Sequence, residues 1–227
     1  VIEAAPALAG TAPWPVPYGV DKAPAVAASL DRFPRLPLHP GKVLRLNDEA
    51  FELPPPAIGQ EAVAADIRLA DHLKRLSGGW NRSATLFVDG YFEHLRQVVA
   101  AHRAAIEEHL APVAGLFAPE DALYSAPLPL PRALPPLPDG ENVMVDMLFW
   151  LGGRAEAVLF APSPLLPAVE RRRRERLDSA GLGVTVLTAG ELAGPGVFAA
   201  LLGEQGRTFW RDELLPSAPG GPRLPPF

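Results

Sequence analysis

The spacing of apolar residues along this chain shifts between a helical and an extended period, and the shifts mark its elements. From Gln60 to Leu76, the apolar residues Val63, Ile67, Ala70, Leu73 and Leu76 recur at three- and four-residue steps. That spacing predicts an amphipathic helix, which Ser77-Gly78-Gly79 ends. A second helix is expected from Tyr91 to Leu110, with Leu95, Val98, Val99, Ala105 and Ile106 apolar, until Pro112 stops it. Ala84 to Val88 reads equally as a short strand or an early helical turn, because five residues carry no decisive period. Between Val143 and Leu187 the pattern becomes extended. Val143 to Leu151 leads into Gly152-Gly153, and Ala155 to Ala161 runs back. Two glycines between β-prone runs predict a hairpin, since both can take positive φ. Leu165 to Ala180 is then read as a helix, Val184 to Leu187 as a short buried strand, and Pro195 to Leu202 as a further helix.

Proline reshapes the rest of the picture. The chain holds 28 prolines in 227 residues, well above the roughly 5% of average usage. Each removes a backbone donor and fixes φ. Residues 1–58 carry Pro6, Pro13, Pro15, Pro17, Pro24, Pro34, Pro37, Pro40 and Pro54-Pro55-Pro56, so we read them as an extended arm with short pieces. A helix at Ala25 to Phe33 and a strand at Lys42 to Leu46 are expected within it. The arm is too apolar for a linker: Trp14, Tyr18, Phe33, Leu36, Leu38, Leu44 and Phe51 must pack on the body or on a protein partner. A second proline-rich stretch, Ala118 to Asp139, reads as a connector with an extended edge segment near Leu123 to Leu134. The expected fold is α/β (mixed α+β): a small mixed sheet flanked by helices. Along the chain this gives the arm (1–58), a helical segment (59–117), the α/β unit (118–215) and an irregular tail (216–227).

Charge and composition narrow the classes of function. A formal net charge of −5 argues against coating nucleic acid through overall charge and leaves only a local basic patch. Lys22, Lys42 and Lys74 are the only lysines. The absence of cysteine removes disulfides, thiolate metal sites and thiol nucleophiles together, and fits a reducing, cytoplasmic setting. No apolar run approaches the roughly 20 residues of a membrane span. No phosphate loop, dinucleotide fingerprint, H-E-x-x-H pair or G-x-S-x-G elbow occurs.

The candidate chemistry lies in the hairpin and the helix after it. Asp146 and Glu156 fall on the two hairpin strands, where they either meet as a two-carboxylate metal site or stand solvated. Together with the run Glu170-Arg-Arg-Arg-Arg-Glu-Arg-Leu177-Asp-Ser-Ala-Gly181-Leu-Gly-Val184-Thr-Val186-Leu, they resemble the core of the PD-(D/E)XK nuclease superfamily, in its very-short-patch-repair endonuclease branch. The resemblance covers roughly residues 120–205. It implies that Asp146 and Glu156 are catalytic and hold a divalent metal, Mg or Mn, which activates water against a phosphodiester. Two departures weaken the activity. Val158 stands where active members carry lysine, and no histidine follows His109.

Arg171, Arg172, Arg174 and Arg176 are candidate nucleic-acid or phosphate ligands, because guanidinium groups bind phosphate bidentately. Successive helical residues point in many directions, so some arginines of this run must instead pair with Glu170, Glu175 or Asp178. His94, His102 and His109 would share one helical sector, as surface or interface histidines unless another element supplied further metal ligands. The functional expectation is a nuclease-like domain without catalysis, acting in nucleic-acid-associated binding or assembly. The alternatives are an active metal-dependent nuclease and an adaptor that binds partners through its arm.

Overall fold

The computed structural model describes residues 13–20, 32–56, 63–138, 143–161, 167–194 and 196–211. Its strands are β1 (Trp14–Pro17), β2 (Arg35–Leu38), β3 (Leu130–Ala133), β4 (Val145–Trp150), β5 (Ala155–Phe160) and β6 (Gly183–Leu187). Its helices are α1 (Ala65–Leu76), α2 (Arg82–Ala101), α3 (Arg103–His109), α4 (Pro167–Ser179), α5 (Gly196–Leu202) and α6 (Gln205–Thr208). Short 3-10 turns occupy 111–113, 119–125, 191–193 and 209–211. The mixed α/β class expected from the sequence is what forms.

The hairpin organises the main sheet. Gly152 takes φ +82°, as the first central residue of a primed two-residue turn requires, and Leu151 N–H donates to Arg154 O at 2.9 Å. A side chain at Gly152 would also crowd the arm, whose Gly41 carbonyl carbon lies 3.3 Å from the place a Cβ would take. The sheet order is β3-β4-β5-β6. The first three strands are antiparallel, and β6 joins β5 in parallel. A parallel pair needs a crossover, and α4 supplies it.

Opposed residues share a face of a sheet. Met147 opposes Val158, Phe149 opposes Glu156, and Val158 opposes Thr185, so all of these look toward α2. There Phe87 packs its ring against Phe149, Phe160 and Phe198 at 5.2 to 6.3 Å between centroids. Each such fully buried ring stabilises the fold by roughly 1.5 to 3 kcal/mol. Trp150 looks the other way, toward the arm and α4. It meets Trp14 edge-on at 6.4 Å and donates its Nε1–H to His39 O at 2.9 Å.

The arm is bound to the body by backbone hydrogen bonds. Gly19 N–H reaches Pro131 O at 2.8 Å, Leu134 N–H reaches Pro17 O at 2.9 Å, and Leu44 N–H reaches Trp150 O at 3.1 Å. The sequence reading missed β1 and β2. Prolines are tolerated there because Pro15 opposes Pro37 and Pro17 opposes Arg35, positions in an antiparallel ribbon where the ladder asks no donor. The strand expected at Lys42 to Leu46 is reduced to isolated bridges at Val43 and Arg45. Tyr18, Leu36, Leu38, Leu44 and Phe51 are buried in one cluster with the helical segment and the sheet. Of the two expected packings, on the body or on a partner, these residues take the first and are covered by their own chain, while Trp14 and Phe33 are only partly buried.

Two helix expectations also change. α2 begins at Arg82, capped by Asn81, whose Oδ1 accepts from Ala84 N–H at 3.2 Å. Ala84 to Val88 is thus helix, not strand. The single helix expected from Tyr91 to Leu110 breaks at His102, whose φ of −112° and ψ of 15° leave helical geometry, and restarts as α3. Most of the helix expected at Ala25 to Phe33, and all of the irregular tail expected at 216–227, lie outside the described residues. No described helix is long and apolar enough to cross a membrane.

Candidate functional site

Asp146 sits near the start of β4, and its carboxylate is engaged from two directions. Phe160 N–H donates to Asp146 Oδ2 at 3.0 Å, and an Arg173 terminal nitrogen stands 3.4 Å from the same oxygen. Arg173 is itself clasped. Its Nε donates to Met144 O at 2.9 Å, one terminal nitrogen bonds that same carbonyl, and the other reaches Glu170 at 3.3 Å. All three charged side chains are partly withdrawn from water. The guanidinium thus ties α4 to the first strand of the hairpin, with its donors spent on a carbonyl and two carboxylates.

Glu156 lies in a different environment. Its side chain is buried, and its Oε1 accepts a hydrogen bond from Thr185 Oγ1 at 2.8 Å. Burial pushes its carboxyl above the usual carboxylate range, opposed by the Thr185 hydrogen bond and by the Arg154 charge. The carboxylate lies directly over Gly183, where a Cβ would come within 2.1 Å of Oε2. Arg154 turns its guanidinium toward the Leu201 carbonyl at 3.3 Å.

The strand register decides the relation between the two acids. Glu156 opposes Phe149, and the same ladder carried back one residue past Met147 brings Asp146 opposite Leu159. Their parity differs, so Asp146 shares the face of Trp150 and α4, and Glu156 shares the face of Phe149 and α2. Both residues occupy the expected adjacent antiparallel strands. The expectation that the hairpin gathers them into one two-carboxylate site is corrected: each side chain points away from the other across the sheet. Val158 is fully buried in the core. Among the described residues no group of three or more histidines or acids is placed to hold a metal ion.

The arginine run divides by helical position. Arg171 and Arg174 lie on the exposed surface of α4, with Arg171 4.0 Å from Glu175. Arg172 and Arg176 join Arg173, Asp146, Val143, Met144 and Val169 around an open cleft of about 450 Å³. Val169 is 59% exposed at its rim, so the cleft combines an apolar wall with guanidinium groups. A smaller hollow of about 260 Å³ continues beyond Arg176 toward Leu137 and Pro138. The run is a mixed face, with pairing to Glu175 and Glu170 as expected: Arg171 is balanced by Glu175, and Arg173 is turned inward toward Glu170 and Asp146. Arg172 and Arg174 are exposed, with no ion pair among the described residues.

The three histidines meet the end of the described chain. His94 is buried with its Nε2 3.1 Å from Gly206 O and its ring 5.7 Å from Phe198. Burial holds its imidazole below the ordinary value. His102 and His109 both lie beside Trp210, at 5.8 and 6.0 Å. His94 is buried, His102 is exposed and His109 is half-buried, and the segment they lie against, from Gln205 to Arg211, escaped the sequence reading because it is too short for a period. The Phe209-Trp210 pair among small and polar neighbours was the available signal.

Compared with protein families, with curated proteins and with solved structures, the chain finds no match.

Proposed function

We propose that this chain is a nuclease-like α/β domain without catalysis, and that it serves nucleic-acid-associated binding or assembly through the exposed side of α4. The observation that carries this reading is the separation of the two acids. Asp146 is neutralised by Arg173 and Phe160 N–H on one face, while Glu156 is spent on Thr185 over Gly183 on the other. A metal-activated water acting on a phosphodiester needs oxygen ligands converging on one ion. Val158, buried and apolar, offers neither charge nor proton. What remains for an anionic polymer is charge and shape. Arg172 lines the open cleft, and Arg171 and Arg174 are exposed elsewhere on α4; phosphate oxygens accept bidentate contacts from such guanidinium groups.

Labelled single- and double-stranded DNA and RNA, followed by fluorescence anisotropy at low salt, test the reading. Binding is expected, and in the Arg171→Glu/Arg172→Glu/Arg174→Glu variant it weakens. For duplex DNA, the slope of log affinity against log salt falls by about 0.9 for each phosphate that is no longer neutralised. No cleavage is expected with magnesium or manganese. Cleavage that disappears in Asp146→Ala establishes an active nuclease instead. Absence of binding, or binding indifferent to the charge reversal, refutes the proposed use of α4.

A further inference from the structure

A cavity of about 660 Å³ lies between α1 and the arm, and none of its described lining residues belongs to α4. Pro54, Pro55 and Pro56 line it from the arm. From α1 come Arg68, His72 and Arg75, which follow at steps of four and three and so share one helical face. Ile67, 47% exposed, adds apolar surface to the same cavity. The volume falls within the roughly 300 to 1,000 Å³ of small-molecule sites, which combine apolar walls with a few converging polar groups.

The charges in this cavity are unbalanced. Its described lining holds two guanidinium groups and one carboxylate, that of Asp71, and Asp71 already lies 3.5 Å from Lys74 Nζ. Arg68 and Arg75 make no ion pair among the described residues. Asp66, one helical turn short of meeting Arg68's needs, bonds Arg96 at 2.7 Å instead. Arg68 is half-buried, and its Nε is closed off from water with no hydrogen-bond partner among the described residues. Withdrawing a guanidinium from water without giving it an acceptor is costly. His72 adds no further positive charge at neutral pH, because burial and the Arg75 charge hold its imidazole below the ordinary value.

We propose that this cavity binds a small organic carboxylate with an apolar body, its carboxylate held by Arg68 and its body lying against the prolines and Ile67. An oxyanion supplies the acceptor that Arg68 lacks. Two guanidinium groups less one carboxylate leave a single net positive charge, which matches a monoanion better than a phosphate monoester of about −1.5 to −2. Arg75 stands about 10 Å further along the helix axis, so it attracts the anion through its field and does not share its oxygens. The site uses no residue of α4, and the inference is independent of the function proposed above.

Isothermal titration calorimetry on the full chain tests it, with octanoate as the probe and with octanol and octyl phosphate for comparison. Octanoate is expected to bind saturably and to shift the NMR amide signals of α1 between Ile67 and Leu76. Octanol has the same body without the charge and is expected to bind at least about tenfold more weakly, as the loss of a hydrogen bond to a charged group implies. Octyl phosphate is expected to bind more weakly than octanoate. Arg68→Met keeps an apolar stem and removes the donors, so octanoate should weaken at least about tenfold while octanol is unchanged. Ile67→Glu, at an exposed helical position, places a second carboxylate beside the cavity and should also weaken octanoate. The absence of saturable octanoate binding, as when the chain fills the cavity itself, overturns the proposal. So does octanol binding as tightly as octanoate, octyl phosphate binding more tightly, or wild-type affinity in Arg68→Met. Where Arg68→Met does not fold, wild-type affinity in Ile67→Glu overturns it in the same way.

Discussion

Gly183→Ala adds one methyl group at a place already occupied by the Glu156 carboxylate. The new Cβ would stand 2.1 Å from Oε2, 2.8 Å from Cδ and 3.1 Å from Oε1, and the first two distances are closer than any van der Waals contact allows. Gly183 has no positive φ, so backbone strain plays no part. The carboxylate must move, and moving it breaks the 2.8 Å bond from Thr185 Oγ1. A hydrogen bond to a charged group contributes about 1.5 to 3 kcal/mol, and overpacking a closed site costs about 1 to 3 kcal/mol. Replacing a strand glycine returns about 0.5 to 1 kcal/mol of backbone entropy. The net destabilisation expected is about 1.5 to 5.5 kcal/mol, read from urea unfolding at neutral pH. In a Glu156→Ala background the collision has no partner, and the same Gly183→Ala change should cost less than about 0.5 kcal/mol, a strong coupling in a double-mutant cycle. If Gly183→Ala is near neutral, or costs as much with Glu156 absent, the carboxylate does not lie over Gly183 and the assignment of Glu156 to that position fails.

Other expectations follow from neighbouring groups. Because burial raises the Glu156 carboxyl, the stability it lends is fully present below its ordinary value of 4.5 and is lost as pH rises through the higher folded value. Glu156→Gln should therefore gain on the wild type between about pH 4 and pH 8 in urea midpoints, and a constant gap would refute the assignment. His94 is lowered from 6.5 by burial, so its contribution is present above that value and is lost as pH falls through the folded one. His94→Gln should flatten stability between about pH 7.5 and pH 5, leaving the slope from His72, which burial and Arg75 also lower. Tyr91 is buried and donates to Pro127 O at 2.5 Å. Tyr91→Phe leaves that carbonyl unpaired and should cost about 1 to 3 kcal/mol by denaturant unfolding.

The hairpin was the most legible part of the sequence. The apolar runs and the glycine pair located β4, β5 and their turn correctly, and the breakers located α4 and β6. The arm's ribbon was not legible, because four-residue strands that carry three prolines between them have no propensity of their own and form only on a body that buries Leu36 and Leu38. The break at His102 was hidden for a related reason: its neighbours keep helical spacing, and the residue beside its ring, Trp210, lies far along the chain. The separation of the two acids belongs to another class, since the sequence contains it in full. If Gly152 and Gly153 are the central residues of the turn, Leu151 must oppose Arg154, and each step back along one strand is a step forward along the other. Glu156 then falls opposite Phe149 and Asp146 opposite Leu159, three positions apart and so on opposite faces. An acid at Phe149 or Leu159 would share a face with one of the existing acids, and neither position has one. The same arithmetic that identifies a hairpin from its turn thus fixes which side chains it can bring together, and here it directs Asp146 to Arg173 and Glu156 to Thr185.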